Sequence, residues 1–398
     1  MRTLSVGALL AALVTGPGTA QSPALDADTA ALARLFRAPV RPDALAPSFA
    51  QQVPAAQLQA IVDQLTRQLG PLRRVRPSGE PGRYVLELER GEVPALVRLD
   101  ATGRLAGLLF QPPRPALRTW AQIDSAARAL PGRAAVLVRV DGRDRLALAA
   151  DSPRAVGSAF KLAILAALAD EIANGRRRWS DVVALRPEWK SLPSGLLQDW
   201  PDGTPLTLAT LATLMIAVSD NTAADALLAL VGRAAVERYA PYNRPFLATR
   251  EAFVLKDPTA ADLWARYRAA DLAGRRALLP ALAARPLPAP SIFAGAPRAI
   301  DVEWFFTARE LCGLLERLDT LPVFAVNPGV ADRREWRRVA FKGGSEPGVL
   351  NLSTYAVAPD GRRVCVVATW NRPDGETDLL TLSGLVRAAL RLAREEPR

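Results

Sequence analysis

The chain has no histidine in its 398 residues. That absence excludes a Ser-His-Asp or Cys-His catalytic site and any zinc site built on imidazole. Cysteine is nearly absent too. Cys312 and Cys365 have neither metal-ligand spacing nor the density of a disulfide framework, so two single buried thiols are the simpler expectation, although an oxidising compartment would allow them to pair. No metal and no cofactor is expected. Lysine is confined to Lys161, Lys190, Lys256 and Lys342, while arginine fills almost every other basic position. A lysine kept against that background is a candidate for something arginine cannot do, such as giving up its proton. The net charge of +11 comes from arginines dispersed along an Ala/Leu/Pro-rich chain. There is no basic stripe interleaved with aromatics, so no nucleic-acid partner is expected. No apolar run reaches the roughly 18 residues of a membrane span.

What is present begins with a leader-like stretch. Arg2, the apolar run Leu4 to Val14 and the small residues Gly18-Thr19-Ala20 read as a signal peptide over residues 1–20, with no cysteine after them to carry a lipid. A periplasmic or secreted protein is the expectation. Pro54 to Gly70 carries apolar residues at helical spacing. Strand-like stretches come next at Arg83 to Arg90, Pro94 to Asp100 and Arg104 to Phe110. Together they predict a small α+β domain over residues 25–113, ended by the stiff Gln111-Pro112-Pro113-Arg114-Pro115, which should not continue a strand. A second domain, 117–398, has a helix (Leu117 to Leu130) and hairpin (Ala134 to Ala150) at its start. At its end lie a hairpin (Val349 to Trp370) and a last helix (Glu376 to Glu395). Strands from both ends with helices between them predict an α+β fold, one antiparallel sheet flanked by helices.

Three short motifs lie in that domain. Ser158-Ala159-Phe160-Lys161 opens an apolar helical stretch, where i, i+3 spacing puts amine and hydroxyl on one face and the helix N-terminus favours negative charge on a serine oxygen. A capping serine before a solvated lysine would give the same letters. Ser219-Asp220-Asn221 comes after the apolar run Leu206 to Val218; its bland reading is a polar helix end in which Asp220 and Asn221 cap the next segment. Lys342-Gly343-Gly344-Ser345 precedes the Val349 strand, and alone would read as a turn beside one exposed lysine.

In this order the motifs resemble the Ser-x-x-Lys, Ser-Asp-Asn and Lys-x-Gly signatures of class A β-lactamases and penicillin-binding proteins. With the N-terminal domain included, the chain also resembles a two-domain β-lactamase-like type met in clavulanic acid biosynthesis, whose first domain is similar to cystatin and steroid-isomerase folds. The resemblance implies a serine hydrolase working through an acyl-enzyme on β-lactams or related amides and esters. Ser158 would be the nucleophile, Lys161 its proton acceptor, and Ser219 a proton relay to the leaving group. Asn221 would hold the acyl amide, and Lys342 would supply positive potential. Backbone N–H groups of Ser158 and Ser345 would form the oxyanion hole, with Gly344 and Ser345 lining the substrate.

Two departures matter. Gly343 stands where the family has a hydroxyl residue, removing a contact to a substrate carboxylate that Ser345 would have to replace. In the region of the family's deacylating Glu-x-x-x-Asn loop the chain reads Thr249-Arg250-Glu251-Ala252-Phe253-Val254-Leu255. There Glu251 is the nearest candidate base, with a structural ion-paired role as the plainer alternative. Without that base, acylation would outrun hydrolysis. An esterase, a cell-wall DD-peptidase or transpeptidase, and a binding protein that senses β-lactams or peptidoglycan fragments without turnover therefore stay open. Ser191 and Ser194 in Ser-Leu-Pro-Ser-Gly are candidates for the pocket rim, against an ordinary loop turn. The charge run Arg333 to Arg338 reads as solvated surface.

Overall fold

The computed structural model describes residues 23–78, 81–111 and 113–396. The leader expected over residues 1–20 lies outside them. The chain divides into two compact units, with the break between Arg118 and Thr119.

The first unit opens with helices α1 (Pro23–Arg37), α2 (Pro47–Gln52) and α3 (Ala55–Leu69). Its antiparallel strands are β1 (Leu72–Pro77), β2 (Arg83–Leu88), β3 (Gly91–Leu99) and β4 (Leu105–Phe110), in that spatial order. Leu58, Val62 and Leu65 of α3 recur at helical spacing and share one buried core with Tyr84, Leu86 and Leu88, which alternate on one face of β2. Strand β1, Leu-Arg-Arg-Val-Arg-Pro, has no apolar alternation to announce it, and only Val75 of it is buried. Contrary to expectation, the Pro-rich stretch does enter the sheet. Arg114–Pro115 form a two-residue strand β5 against Gly91 and Glu92, and such a short addition tolerates proline.

The second unit starts with α4 (Trp120–Arg128), whose Thr119 and Gln122 form a capping box. Strands β6 (Arg133–Val140) and β7 (Arg143–Leu148) come next, then the short β8 (Arg154–Ala155) and helix α5 (Lys161–Ala173). The middle of the chain supplies β9 (Val182–Ala184), β10 (Pro205–Thr207), α6 (Leu208–Ala217), α7 (Asn221–Val231), α8 (Arg233–Glu237), α9 (Thr249–Lys256), α10 (Ala261–Ala269) and α11 (Leu272–Ala284). After β11 (Phe305–Phe306) and α12 (Ala308–Leu318) come β12 (Arg338–Glu346), β13 (Val349–Val357), β14 (Arg363–Asn371) and α13 (Leu379–Glu395).

The main sheet runs β12-β13-β14-β6-β7, antiparallel throughout, so strands from both ends of the unit meet at β14–β6. Its helices lie on both faces, as β14 makes plain. Cys365 and Val367 join the core that holds α5 and α12, and the alternating residues Val364 and Val366 point the other way. Helix α5 is apolar nearly all round, and every residue from Lys161 to Leu168 is buried, as a helix enclosed by its neighbours requires. The two cysteines are not separate thiols. A disulfide joins Cys312 of α12 to Cys365 of β14, with Cα atoms 6.0 Å apart. Fifty-three residues of sequence separation hid a contact that only the packing of α12 on the sheet creates. Arg333, Arg334, Arg337 and Arg338 are exposed around buried Trp336. Among the described residues no helix is long and apolar enough to cross a membrane.

Candidate active site

Ser158 lies in a 3-10 turn, Gly157–Phe160, that runs straight into α5. The turn is fixed from three sides. Asn371 of β14 accepts from the Ala155 N–H at 2.9 Å and donates to the Ala155 carbonyl at 2.8 Å. The Val156 N–H donates to the Trp304 carbonyl at 3.0 Å. The third contact is backbone against backbone. A Cβ on Gly344 of β12 would fall 2.2 Å from the Val156 oxygen and 2.4 Å from the Ser158 nitrogen, so only glycine allows this approach. Gly157, at φ +49°, lies against Gly344 and the Ser345 nitrogen from the other side. The backbone nitrogens of Ser158 and Ser345 are thereby brought to the same place, while the Ser345 side chain is exposed.

Lys161, one turn on, is fully buried. Its Nζ lies 2.7 Å from the Ser219 carbonyl, 2.6 Å from Asn221 Oδ1, and 3.1 Å from each of the Ser158 and Ser219 hydroxyl oxygens. Burial pulls its pKa down to about 7, against the charges of Asp220 and Asp225, which favour the ammonium. In the neutral amine the two N–H bonds are spoken for, because the two carbonyl oxygens can only accept. The lone pair is left for a hydroxyl, and Ser158 offers one. Ser219 is held at φ +60°, an uncommon conformation for a residue with a Cβ, which aims both its carbonyl and its hydroxyl at Lys161. Its hydroxyl also accepts from Lys342 Nζ at 3.1 Å, and Lys342 donates to the Gly343 carbonyl at 2.6 Å. Lys342 is not the exposed turn residue of the bland reading. It is buried, and burial together with the Lys161 charge holds its pKa well below that of an ordinary lysine.

The loop of Ser191 to Gly195 is tied to the same residues. Ser194 donates to the Ser219 carbonyl at 2.8 Å, and the Asn221 N–H donates to the Ser194 carbonyl at 3.0 Å. Asn221 turns Oδ1 to Lys161 and donates from Nδ2 to the Leu192 carbonyl at 2.9 Å, so its amide is fixed between the lysine and the Ser191–Gly195 loop. Asp220 does what the bland reading of the motif anticipated and more. It caps α7 at the Ala223 N–H and accepts from Leu196 and Leu197 at 2.7 and 3.0 Å, pressed so close to Gly195 that a Cβ there would fall 2.3 Å from its carboxylate. Behind this wall lies a buried polar group that the motifs do not announce. Asp225 accepts from the Thr249 and Arg250 N–H groups, and the Thr249 hydroxyl donates to Ser191 Oγ at 2.6 Å. Burial raises the Asp225 carboxyl to about 7. A carboxylate four residues after Asn221 in an otherwise apolar helix was the available signal.

Glu251 is not brought to this cluster by any hydrogen bond. One oxygen accepts from Arg233 at 2.5 Å and the other from the Ala248 N–H at 2.8 Å, which caps the start of α9. Both oxygens of the candidate deacylating base are engaged in holding the helix.

A sequence profile described as the beta-lactamase enzyme family matches residues 118–246, about a third of the chain. The match spans Ser158, Lys161, Ser219 and Asn221 and ends before Lys342. No curated protein matches the chain. Among solved structures it is similar to a β-lactamase from Sphaerobacter thermophilus (23% identity, TM-score 0.49, covering 70% of this chain and 98% of that one). It is also similar to a class A β-lactamase representative from Bacteroides cellulosilyticus (15%, 0.47, 70% and 98%) and to PBP-A (17%, 0.48, 69% and 94%).

Proposed function

We propose that the chain is a serine acyl-transfer enzyme of the β-lactamase and penicillin-binding type, exported by the leader-like residues 1–20, in which Ser158 attacks a strained or activated carbonyl. The observation that carries this is the inventory around Lys161: a buried amine with both N–H bonds committed and its lone pair left to hydroxyl oxygens 3.1 Å away. Proton transfer from Ser158 to Lys161 would accompany attack, and the Ser158 and Ser345 N–H groups would receive the developing oxyanion. The hydroxyl of Ser219, bridging Lys161 and Lys342, would return a proton to the leaving nitrogen or oxygen. The profile match over residues 118–246 supports the same family assignment for that stretch.

A second reading has its own support. With Glu251 committed to Arg233 and the Ala248 N–H, no carboxylate among the described residues is hydrogen-bonded to Ser158, Lys161 or Ser219 to activate water against an acyl-enzyme. Acylation with slow release fits a peptidoglycan transpeptidase or a β-lactam sensor better than a fast hydrolase. Intact-protein mass spectrometry over time, with a penicillin, a cephalosporin and an activated ester, separates the two. An adduct that forms and decays marks a hydrolase, and the donor that reacts fastest names the acyl class. A persistent adduct marks the slow-release reading, and no adduct from any donor sinks both.

A further inference from the structure

A second buried charge cluster lies outside these residues. Lys256, at the end of α9, is buried, and its Nζ lies 2.6 Å from a carboxyl oxygen of Glu303 and 2.6 Å from one of Glu346. Three stretches remote in sequence meet on that one ammonium. Glu346 ends β12, directly after Ser345. Glu303 precedes Trp304, whose carbonyl accepts from the Val156 N–H two residues before Ser158. Each of the two backbone segments that meet at Gly344 and Gly157 is therefore anchored, within a few residues, to Lys256. Desolvating three ionisable groups costs several kcal/mol per ion, so such a cluster is weak as general-purpose stabilisation and informative as a device that fixes geometry.

We propose that Lys256, Glu303 and Glu346 are positioning residues for acylation, holding the Ser345 end of β12 and the Trp304–Val156 contact at the separation an oxyanion needs between the Ser158 and Ser345 N–H groups. This rests on the acylation reading above. Burial and the neighbouring Glu303 hold the Glu346 carboxyl well above the usual carboxylate range, while Glu303 and Glu346 keep Lys256 charged against its burial. The groups facing Glu346 are Lys256 from α9, Glu303 from the segment before β11, and the exposed Arg298, which lines a small cavity with Lys256, Phe293 and Pro347.

The test measures Ser158 acylation rate and KM, together with amide hydrogen exchange over residues 156–158 and 343–346, in the wild type, Lys256→Met and Glu346→Gln. Lys256→Met is expected to acylate about 100-fold more slowly at unchanged KM, the scale of losing one oxyanion donor, with faster exchange in both segments. Glu346→Gln keeps the side chain's shape and removes its charge, and it is expected to slow acylation in the same direction by a smaller factor, with faster exchange over residues 343–346. Wild-type acylation and exchange in Lys256→Met, or in Glu346→Gln, overturns the proposal. If Lys256→Met does not fold, Glu346→Gln decides alone. If no donor acylates the wild type, the acylation reading fails by itself and the exchange of the two segments decides the positioning claim.

Discussion

At the scale of single residues, reactivity turns on which groups carry protons near neutrality. Lys161 serves as a base only as the free amine, and its pKa is drawn down to about 7, so the acylation rate should climb through a midpoint near pH 7 as the ammonium is lost. Below that midpoint the proton blocks the lone pair, and above it the amine is available. Lys161→Met should cost about 1,000-fold in acylation, within the range for general-base catalysis, and flatten that limb. Stopped-flow rates from pH 5 to 9 check both statements. Gly344→Ala tests the backbone approach instead. A methyl 2.4 Å from the Ser158 nitrogen must force strand and turn apart, so a lower Tm, from an overpacking cost of about 1–3 kcal/mol, should accompany slower acylation. The pairing of Ser158 with Lys161 was legible because a helix brings i and i+3 together. The reach of Lys342 to the Ser219 hydroxyl, across 123 residues, was not legible from spacing.

At the scale of elements, the hairpins and flanking helices of the second unit could be read because their apolar periods are short and their turns carry glycine. Asp141-Gly142 and Asp360-Gly361 are examples, and the latter joins β13 to β14. Strand β1 escaped because three arginines occupy its pattern; Glu251 was read as either a base or, more plainly, an ion-paired residue, because nothing in Thr-Arg-Glu says where a glutamate will point. The structure turns Glu251 into a helix cap and an ion pair with Arg233. Glu251→Gln should therefore lower stability by about 1–3 kcal/mol, between the values for exposed and buried pairs since Arg233 is partly exposed, and leave the decay rate of any acyl adduct as it was. Thermal denaturation and the adduct time course read the two separately. Slower decay at an unchanged Tm would restore Glu251 as the hydrolytic base.

At the scale of the whole molecule, the second unit is closed by contacts that only its fold defines: β14 pairing with β6, and the disulfide from α12 to β14. Closing a loop of this length is worth about 2–4 kcal/mol, so the double variant Cys312→Ser/Cys365→Ser should melt several degrees lower while Ser158 still reacts. An unchanged Tm would mean that the bond adds nothing to the folded state. The central claim, that Ser158 is the acylated nucleophile, is tested most directly by peptide mass mapping after reaction with a penicillin or an activated ester. The acyl mass is expected on the peptide containing Ser158, and its loss is expected in Ser158→Ala; an adduct on Ser194, Ser219 or a lysine, or one that survives Ser158→Ala, would contradict the claim.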